Sequence, residues 1–415
     1  MNMNRRDFLK SALAVAAFSS VAKLNLGTAL ASKEAVSGGV DEELKVTRRP
    51  YRNTGKTLPL LGFGLMRLPQ KDGKIDDVTA QAMVERALQA GCNYFDTAYM
   101  YHGGDSERFV GRVLSKVPRE RYYLTSKMPI GMMNSEADNE RIFQDQLART
   151  KAGYFDFYLL HALNRGTWEK AQRFKTLEFL KKMKAEGKIR HIGFSFHDTP
   201  EVLEKIASAH PWELVMIQLN YLDWALQKAG EQYRILTDRG IPVAIMEPLK
   251  GGTLVSLTPE SRAVLTKANP EAGTASWGLR YAASLPNVQV VLSGMSVPQH
   301  MEENIRTFSP FRPLTDEERA TISRAVAIYR NVGAVPCTAC KYCIPCPVDV
   351  DIPRNLAMLN ELKFGIRESQ VKRVYEALEE DARASSCVNC GACLRKCPQK
   401  IDIPARLAEL AKRFG

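Results

Sequence analysis

The chain has 415 residues, of which 45% are hydrophobic and 25% charged, and its formal net charge is +12. The positive charge is scattered through predicted helices, without a dense basic run interleaved with aromatic residues, which excludes a nucleic-acid site. Residues 51–331 alone are long enough for one large domain with a sizeable core.

The N-terminal segment, residues 1–31, has the order of features of an export signal. Residues 4–10 (NRRDFLK) precede the weakly apolar SALAVAAFSSVA, and ALA at 29–31 offers a small-x-small cleavage site. This order resembles a twin-arginine signal peptide, which implies export of the folded protein to the periplasm by the twin-arginine translocase. The apolar run is too short and too interrupted for a stable membrane span, which needs about 20 apolar residues. Residues 32–50 are polar and aperiodic, and we predict a linker outside the fold.

Residues 51–331 alternate between short apolar runs and helical patterns such as 80–90 and 168–186. The apolar runs lie at residues 60–64, 93–96, 122–126, 155–161, 191–195, 215–219, 243–246 and 288–293. Eight strand–helix units predict an α/β fold, a (β/α)8 TIM barrel, in which catalytic residues sit at the C-terminal ends of the strands. A doubly wound open sheet is the alternative, but no GxGxxG follows an early strand.

Four candidate catalytic residues stand at three consecutive predicted strand ends. The second strand ends at Asp96 and is followed by Tyr101, the third ends at Lys127, and the fourth ends at His161. Taken singly, each has an ordinary structural explanation. Together, at neighbouring strand ends of one barrel, they predict a catalytic group.

The barrel region resembles the aldo-keto reductases across essentially its whole length. The motifs that carry the resemblance are LGFGLMRLP, FDTAYMYHGGDSE, TSK, DFYLLH, GFSF, IQLNY, MEPLKGG and EENI. The resemblance implies an oxidoreductase that interconverts a carbonyl and an alcohol by nicotinamide hydride transfer. Tyr101 would give the developing alkoxide a proton, and Lys127 would lower the pKa of this phenol from about 10. Asp96 would keep Lys127 protonated, and His161 would donate a hydrogen bond to the substrate oxygen.

The same resemblance implies contacts to NAD or NADP around the barrel mouth. Ser195 and Gln218 would hold the nicotinamide carboxamide, and Asn304 would contact adenine. The contacts along the ribose and phosphates would be Gly64, Leu65, Met66, Leu249, Gly251 and Gly294.

Four positions depart from the familiar pattern of these contacts. Phe196 stands where an asparagine often follows the serine, and Met246 replaces the tyrosine that commonly stacks on the nicotinamide ring. Gly294 and His300 stand where lysine and arginine often grip the 2′-phosphate of NADP. The choice between NAD and NADP therefore stays open.

Eight of the nine cysteines lie in residues 332–415, in two runs. The runs are Cys337, Cys340, Cys343, Cys346 and Cys387, Cys390, Cys393, Cys397. The spacing of the second, CxxCxxCxxxCP, is typical of a [4Fe-4S] cluster whose fourth cysteine binds a partner cluster, and the first is one residue shorter. The phrases CPVDVDIPRNLA and CPQKIDIPARLA, which begin at the last cysteine of each run, make the unit an internal repeat in which proline opens a helix.

The repeat resembles a small alpha-helical ferredoxin-type domain with two [4Fe-4S] clusters, as in an iron–sulfur-containing branch of the aldo-keto reductases. By resemblance, one cluster would bind Cys337, Cys340, Cys343 and Cys397, and the other Cys387, Cys390, Cys393 and Cys346. Zinc, which takes four ligands per tetrahedral site, and a disulfide framework fit the spacing less well. Cys92 is predicted to be a small buried apolar side chain.

Three functions are compatible with the sequence. The favoured one is an exported aldo-keto reductase-like enzyme for a small carbonyl or alcohol, whose clusters connect it to a redox partner protein. The second is an iron–sulfur electron carrier whose barrel is a non-catalytic docking or ligand-binding module. The third gives the clusters a structural role beside an ordinary reductase. Because nicotinamide delivers a hydride and clusters exchange single electrons, a flavin could mediate between them, although no flavin motif is visible.

Overall fold

Eight parallel strands close into a barrel in the computed structural model, which describes residues 44–415. The predicted twin-arginine signal and most of the predicted linker lie outside the described residues. The strands are β1 Leu61–Gly64, β2 Tyr94–Asp96, β3 Tyr123–Met128, β4 Phe155–Leu163, β5 Ile189–Phe196, β6 Leu214–Gln218, β7 Val243–Met246 and β8 Val288–Ser293. Val291 and Ser293 of β8 pair with Leu61 and Phe63 of β1, which closes the barrel. The prediction of a (β/α)8 barrel is confirmed.

Most of the strands are largely apolar because both of their faces are covered. Every residue of β1, β2 and β6 is buried. One face of each strand meets the barrel interior and the other meets the surrounding helices, so the alternation of a half-exposed strand is absent. Each of the eight predicted strands accordingly overlaps one observed strand.

Helices cover the outside of the barrel, and their first residues carry recognisable start signals. Asn164 and Thr315 form capping boxes, and Pro200 opens a helix in its first turn. The pattern at 168–186 is two helices, because Lys175 adopts a left-handed φ of 49° between them. The helices of the barrel region are Asp77–Gln89, Asp105–Val113, Asp138–Thr150, Arg165–Arg173, Thr176–Ala185, Pro200–Ala207, Asp223–Leu226, Ala229–Asp238, Pro259–Ala268, Thr274–Ala283, Pro298–Thr307 and Asp316–Asn331.

An antiparallel hairpin of Arg48–Tyr51 and Lys56–Pro59 lies at the N-terminal end of the barrel. The ring of Tyr51 packs edge-on against Phe157 inside the barrel, with 5.4 Å between centroids. Val46, just before the hairpin, is also buried. The folded region therefore begins before Tyr51, and the predicted linker 32–50 is too long at its C-terminal end, because the hairpin buries these residues against the barrel.

The cysteine-rich region forms a small helical domain with its own apolar core. Its helices are Ile352–Lys363, Glu368–Glu376 and Ile403–Phe414. The two repeated phrases fold alike: Asp351 and Asp402 each cap a helix, accepting a hydrogen bond from the backbone N–H three residues later, and proline follows in the first turn. Within residues 44–415, no helix combines the length and hydropathy that spanning a bilayer requires.

The cysteine-rich domain contacts the C-terminal mouth of the barrel at several points. Arg67, in the loop after β1, donates a hydrogen bond to the carbonyl oxygen of Thr338 over 2.8 Å. Lys400 pairs with Asp198, after β5, at 3.2 Å. The backbone of Gly251, after β7, lies so close to Thr338 that an added Cβ would stand 2.2 Å from the Thr338 oxygen.

Replacing Gly251 by alanine should weaken this interdomain contact. The residue has φ +63°, and the new Cβ would collide with the Thr338 carbonyl. Gly252→Ala is the matched control, because its φ is +98° but its Cβ would meet nothing within 4 Å. We expect the control to cost about 1 kcal/mol of backbone strain and Gly251→Ala to cost clearly more. Thermal unfolding and protease cleavage between the domains measure the difference; equal behaviour of the two variants would contradict it.

Candidate active site

The four predicted catalytic residues come together at the barrel mouth. Asp96, Lys127 and His161 lie at or near the C-terminal ends of the adjacent strands β2, β3 and β4, and Tyr101 follows β2. The Lys127 Nζ lies 2.6 Å from Asp96 Oδ1, 2.7 Å from the Thr97 carbonyl oxygen and 3.4 Å from the Tyr101 hydroxyl. The rings of Tyr101 and His161 meet edge to face with 6.0 Å between centroids.

The Lys127–Asp96 pair is almost completely buried. Burial lowers the pKa of Lys127 and raises the pKa of Asp96, and the charge of each partner opposes the shift of the other. Asp96 Oδ2 is buried without a hydrogen-bond partner among the described residues, so the carboxylate is held through one oxygen. The pair thus places an ammonium directly below the Tyr101 hydroxyl.

The Tyr101 phenol differs from the sequence-based expectation in its acidity. Burial raises its pKa well above the usual value, and the carboxylates of Asp96 and Glu247 raise it further, with only Arg67 lowering it. The pKa of Tyr101 is therefore raised overall, not lowered as the sequence predicts, because burial and the two carboxylates outweigh the nearby positive charge. The neutral phenol that results is the form a proton donor requires.

The His161 imidazole is neutral in this environment. Burial lowers its pKa well below the usual value, and the neighbouring Lys127 and His197 lower it further. Nδ1 is buried without a partner among the described residues, which leaves Nε2 to meet a ligand in the adjacent cavity. A neutral imidazole with one N–H can donate the hydrogen bond to a carbonyl oxygen that the sequence predicts.

No inflection from His161 is therefore expected near pH 6.5 in the rate of carbonyl reduction. Burial also lowers the pKa of the neighbouring His197 to about 4, so both imidazoles stay neutral as the pH falls through 6.5. The measurement is kcat/KM between about pH 5.5 and about pH 8, which brackets the ordinary histidine value. An inflection near 6.5 that disappears in His161→Gln would contradict the buried, neutral assignment.

A buried polar network that sequence reasoning missed supports Lys127 from behind. Glu107 is fully buried and accepts hydrogen bonds from Ser126 Oγ at 2.7 Å and Gln146 Nε2 at 2.5 Å. Gln146 also donates to the Lys127 carbonyl oxygen at 3.2 Å. The network fixes the backbone of β3 where Lys127 leaves it. The available signal was that Glu107 and Gln146 share helix faces with apolar residues such as Val110 and Phe143.

A cavity of about 600 Å³ opens beside the four residues. Eight of the nine predicted nicotinamide contacts line it, and Leu65 is instead fully buried in the surrounding core. The eight are Gly64, Met66, Ser195, Gln218, Leu249, Gly251, Gly294 and Asn304. Met246 and His300 also line the cavity, whereas Phe196 packs in the core. The cavity is thus continuous from the catalytic group to the predicted adenine end.

Several predicted contacts already have partners within the chain. Ser195 Oγ accepts the Ala162 N–H at 2.8 Å, and its own hydroxyl proton stays available. Asn304 Nδ2 donates to Ser293 Oγ at 3.0 Å. The side chain of Arg67 lies against Gly294, where an added Cβ would stand 3.0 Å from Arg67 Cβ. The lining residues fit the ribose and adenine of a nicotinamide nucleotide. Gln218, the predicted carboxamide contact, accepts a hydrogen bond from Gln399 of the cysteine-rich domain at 2.8 Å and would have to exchange this partner for the carboxamide.

The cysteine-rich domain covers the cavity with residues that no strand-end motif identified. We call this surface the roof, and it consists of Thr338, Cys340, Tyr342, Pro398 and Gln399. Tyr342 shares the cavity with Tyr101, and burial raises the pKa of Tyr342 well above its usual value. The roof and the four candidate residues line the same cavity, so its shape depends on both domains.

Two further cavities separate the eight cysteines into the predicted groups. One, which we call the inner site, is lined by Cys337, Cys340, Cys343 and Cys397. The other, the outer site, is lined by Cys346, Cys387, Cys390 and Cys393, and also touches Cys343. Among the described residues no three His, Cys, Asp or Glu side chains are arranged to hold a single metal ion. The thiols surround two spaces of similar make-up, and they fit two four-cysteine clusters.

The inner site and the catalytic cavity share a wall. Thr338, Cys340, Pro398 and Gln399 line both. Cys390 of the outer site is exposed, whereas every cysteine of the inner site is buried or half-buried. A group held at the inner site would thus be separated from the catalytic cavity by one layer of side chains.

Fold, strand-end residues and cavity together define an oxidoreductase built on a (β/α)8 barrel. The model of the aldo/keto reductase family matches residues 60–327, and the chain belongs to this family. A 4Fe-4S dicluster domain matches residues 336–401.

Relatives share the barrel region. L-galactose dehydrogenase of Arabidopsis thaliana is 26% identical over 69% of this chain and 96% of its own length. NADH-specific methylglyoxal reductase of Escherichia coli is 28% identical over 49% of this chain and 68% of its own length. The holo structure of an aldo-keto reductase from Bacillus halodurans superposes with a TM-score of 0.57 at 25% identity, covering 68% of this chain and 96% of that one.

Proposed function

We propose that the protein is an exported oxidoreductase that interconverts a small carbonyl and an alcohol by nicotinamide hydride transfer, with two [4Fe-4S] clusters linking it to a redox partner protein. The observation that carries the proposal is the wall that the inner site shares with the catalytic cavity, through Cys340. The Escherichia coli relative is an NADH-specific methylglyoxal reductase, which supports the use of a nicotinamide. Export rests on the twin-arginine pattern of residues 1–31.

The chain's own residues supply the proton and the orientation for this reaction. Tyr101, kept neutral by burial, donates its phenolic proton to the oxygen of the carbonyl as it becomes an alkoxide. Lys127, at 3.4 Å from that hydroxyl, stabilises the phenolate that forms. His161 holds the carbonyl oxygen from the other side. In the direction of alcohol oxidation, Tyr101 accepts the proton.

A nicotinamide, when bound along the cavity, supplies or accepts the hydride. The clusters, when bound, exchange single electrons. The outer site, at the surface, suits contact with a partner protein, and the exposed Val388 and Leu394 beside it offer an apolar contact at 63% and 43% exposure. Arg395 and Lys396 next to Leu394 favour a partner with an acidic surface, and a fall in electron-transfer rate with increasing salt would test this complementarity.

The electron-carrier alternative has one specific observation in its favour. Gln218, the predicted carboxamide contact, is bound by Gln399 of the roof. Together with Met246 at the ring-stacking position, this would suit a barrel that contacts a partner without binding nicotinamide. The two functions differ in whether a nicotinamide binds at all.

Anaerobic titration of the purified holoprotein with NADH and with NADPH tests the proposal, using visible and EPR spectra to follow the clusters. Reduction of the clusters is the expected result and would join the cavity and the clusters in one electron path. Binding without reduction would point to clusters that act independently or to a missing mediator such as a flavin. Absence of binding by either nucleotide would favour the electron carrier.

A further inference from the structure

Gln399 of the roof forms a reciprocal amide pair with Gln218 inside the cavity. Gln218 Nε2 donates to Gln399 Oε1 at 3.0 Å, and Gln399 Nε2 donates back to Gln218 Oε1 at 2.8 Å. Both side chains are nearly buried, at 6% and 7% exposure. The residues are 181 positions apart in the chain, so the pair exists only because the domains are docked.

The pair is anchored from several directions. Gln399 Oε1 also accepts from Gln227 Nε2 at 2.9 Å and faces Lys250 Nζ at 3.3 Å. Gln218 Nε2 also donates to Asp223 Oδ2 at 2.7 Å, and Asp223 in turn holds Lys250 in a buried ion pair at 2.5 Å. The side-chain oxygen of Gln399 therefore lies among hydrogen-bond donors and its nitrogen meets an acceptor, which is the arrangement that suits a primary carboxamide.

A primary carboxamide is also the group that nicotinamide carries. We propose that Gln399 occupies the carboxamide subsite as a stand-in carried by the chain itself, and that a nicotinamide binds productively only when Gln399 withdraws. The proposal rests on the proposed function, since it needs a nicotinamide at Gln218. Gln399 thus lowers the affinity of the cavity for nicotinamide nucleotides until its side chain withdraws.

The position of Gln399 couples this exchange to the inner site. Gln399 follows Cys397 by two residues, with Pro398 between them, and it lines both the inner site and the catalytic cavity. Withdrawal of Gln399 changes the polar groups and the exposure around Cys397, and cluster potentials respond to hydrogen bonding and solvent exposure. Because coupling between two equilibria is reciprocal, the redox state of the cluster also changes the affinity for nicotinamide.

Equilibrium binding of NADPH and NADP+ to the holoprotein tests the proposal without using turnover. Gln399→Ala should bind roughly tenfold more tightly than the unmodified protein, since the nucleotide no longer displaces an internal amide. Gln227→Ala, which removes one donor to Gln399 from outside the cavity, should shift affinity in the same direction by less. Arg406→Ala is the control in the same domain, because its ion pair with Glu409 lies within the helix Ile403–Phe414, and it should leave affinity unchanged.

A redox titration followed by EPR supplies the second readout. Saturating NADP+ should shift the midpoint potential of one cluster in the unmodified protein, and this shift should vanish in Gln399→Ala. A contrary result is that both glutamine variants bind nucleotide no more tightly than the unmodified protein while carbonyl reduction persists. That result would overturn the role of Gln399 and leave the proposed function standing. Failure of the unmodified protein and of Gln399→Ala to bind either nucleotide would overturn both.

Discussion

Replacing Tyr101 by phenylalanine should lower kcat for carbonyl reduction by about a thousandfold while nucleotide binding is retained. The change removes the hydroxyl that lies 3.4 Å from Lys127 Nζ and leaves the ring that packs against His161. General acid catalysis by a positioned side chain contributes roughly 10²–10⁴-fold, so its loss should fall mainly on kcat. Steady-state kinetics combined with equilibrium nucleotide binding separates the two effects.

Tyr342→Phe is the matched control for this variant. Tyr342 also lines the cavity but has no hydrogen bond to Lys127 among those of the described residues, so its loss should alter KM more than kcat. The catalytic assignment fails if Tyr101→Phe keeps the kcat of the unmodified protein. It also fails if the two variants lose activity equally, because the effect would then come from the cavity wall and not from the proton donor.

Replacing Cys390 by serine should remove the EPR signal of one cluster and abolish electron exchange with a redox partner. Cys390 is the exposed member of the outer site, so the substitution is remote from the catalytic cavity. Turnover with added nicotinamide should persist, because the four candidate catalytic residues and the roof are untouched. Iron analysis, EPR and the two activity assays are measured on the same anaerobic preparation.

Cys92→Ser provides the control for thiol loss in general. Cys92 is fully buried, its Sγ donates to the Leu61 carbonyl oxygen at 3.2 Å, and burial raises its pKa to about 12. A serine hydroxyl can make the same hydrogen bond, and both clusters should remain. If Cys390→Ser keeps full partner-driven turnover, the clusters have a structural role; if it also loses nicotinamide-driven turnover, the two domains depend on each other for folding.

The barrel could be predicted because each of its strands is marked by a sequence pattern within the strand itself. Strands covered on both faces are short unbroken apolar runs, and this pattern located all eight of them within a few residues. Asp96, Lys127 and His161 were recognisable because the ends of neighbouring parallel strands must meet at one mouth. Element limits were less certain: Lys175 splits one predicted helix, and the hairpin at Arg48–Tyr51 extends the fold beyond its predicted start.

The roof could not be predicted, because its contacts join residues far apart in the chain. Nothing near Gln399 indicates a partner at Gln218, and nothing near Arg67 indicates the Thr338 carbonyl 271 residues away. The acidity of Tyr101 was mispredicted for a related reason. Motifs identify which charges are near, but the burial that raises the pKa of Tyr101 depends on the whole fold.

The roof also changes how long a molecule stays inside the barrel. A ligand in the covered cavity leaves past the exposed side chains of Val255, Gln299 and His300, or after the two domains part. Residence time is then governed by the frequency of domain opening as well as by affinity. Under the proposed export of the folded chain, slow exchange would keep a cofactor that binds before export in place afterwards.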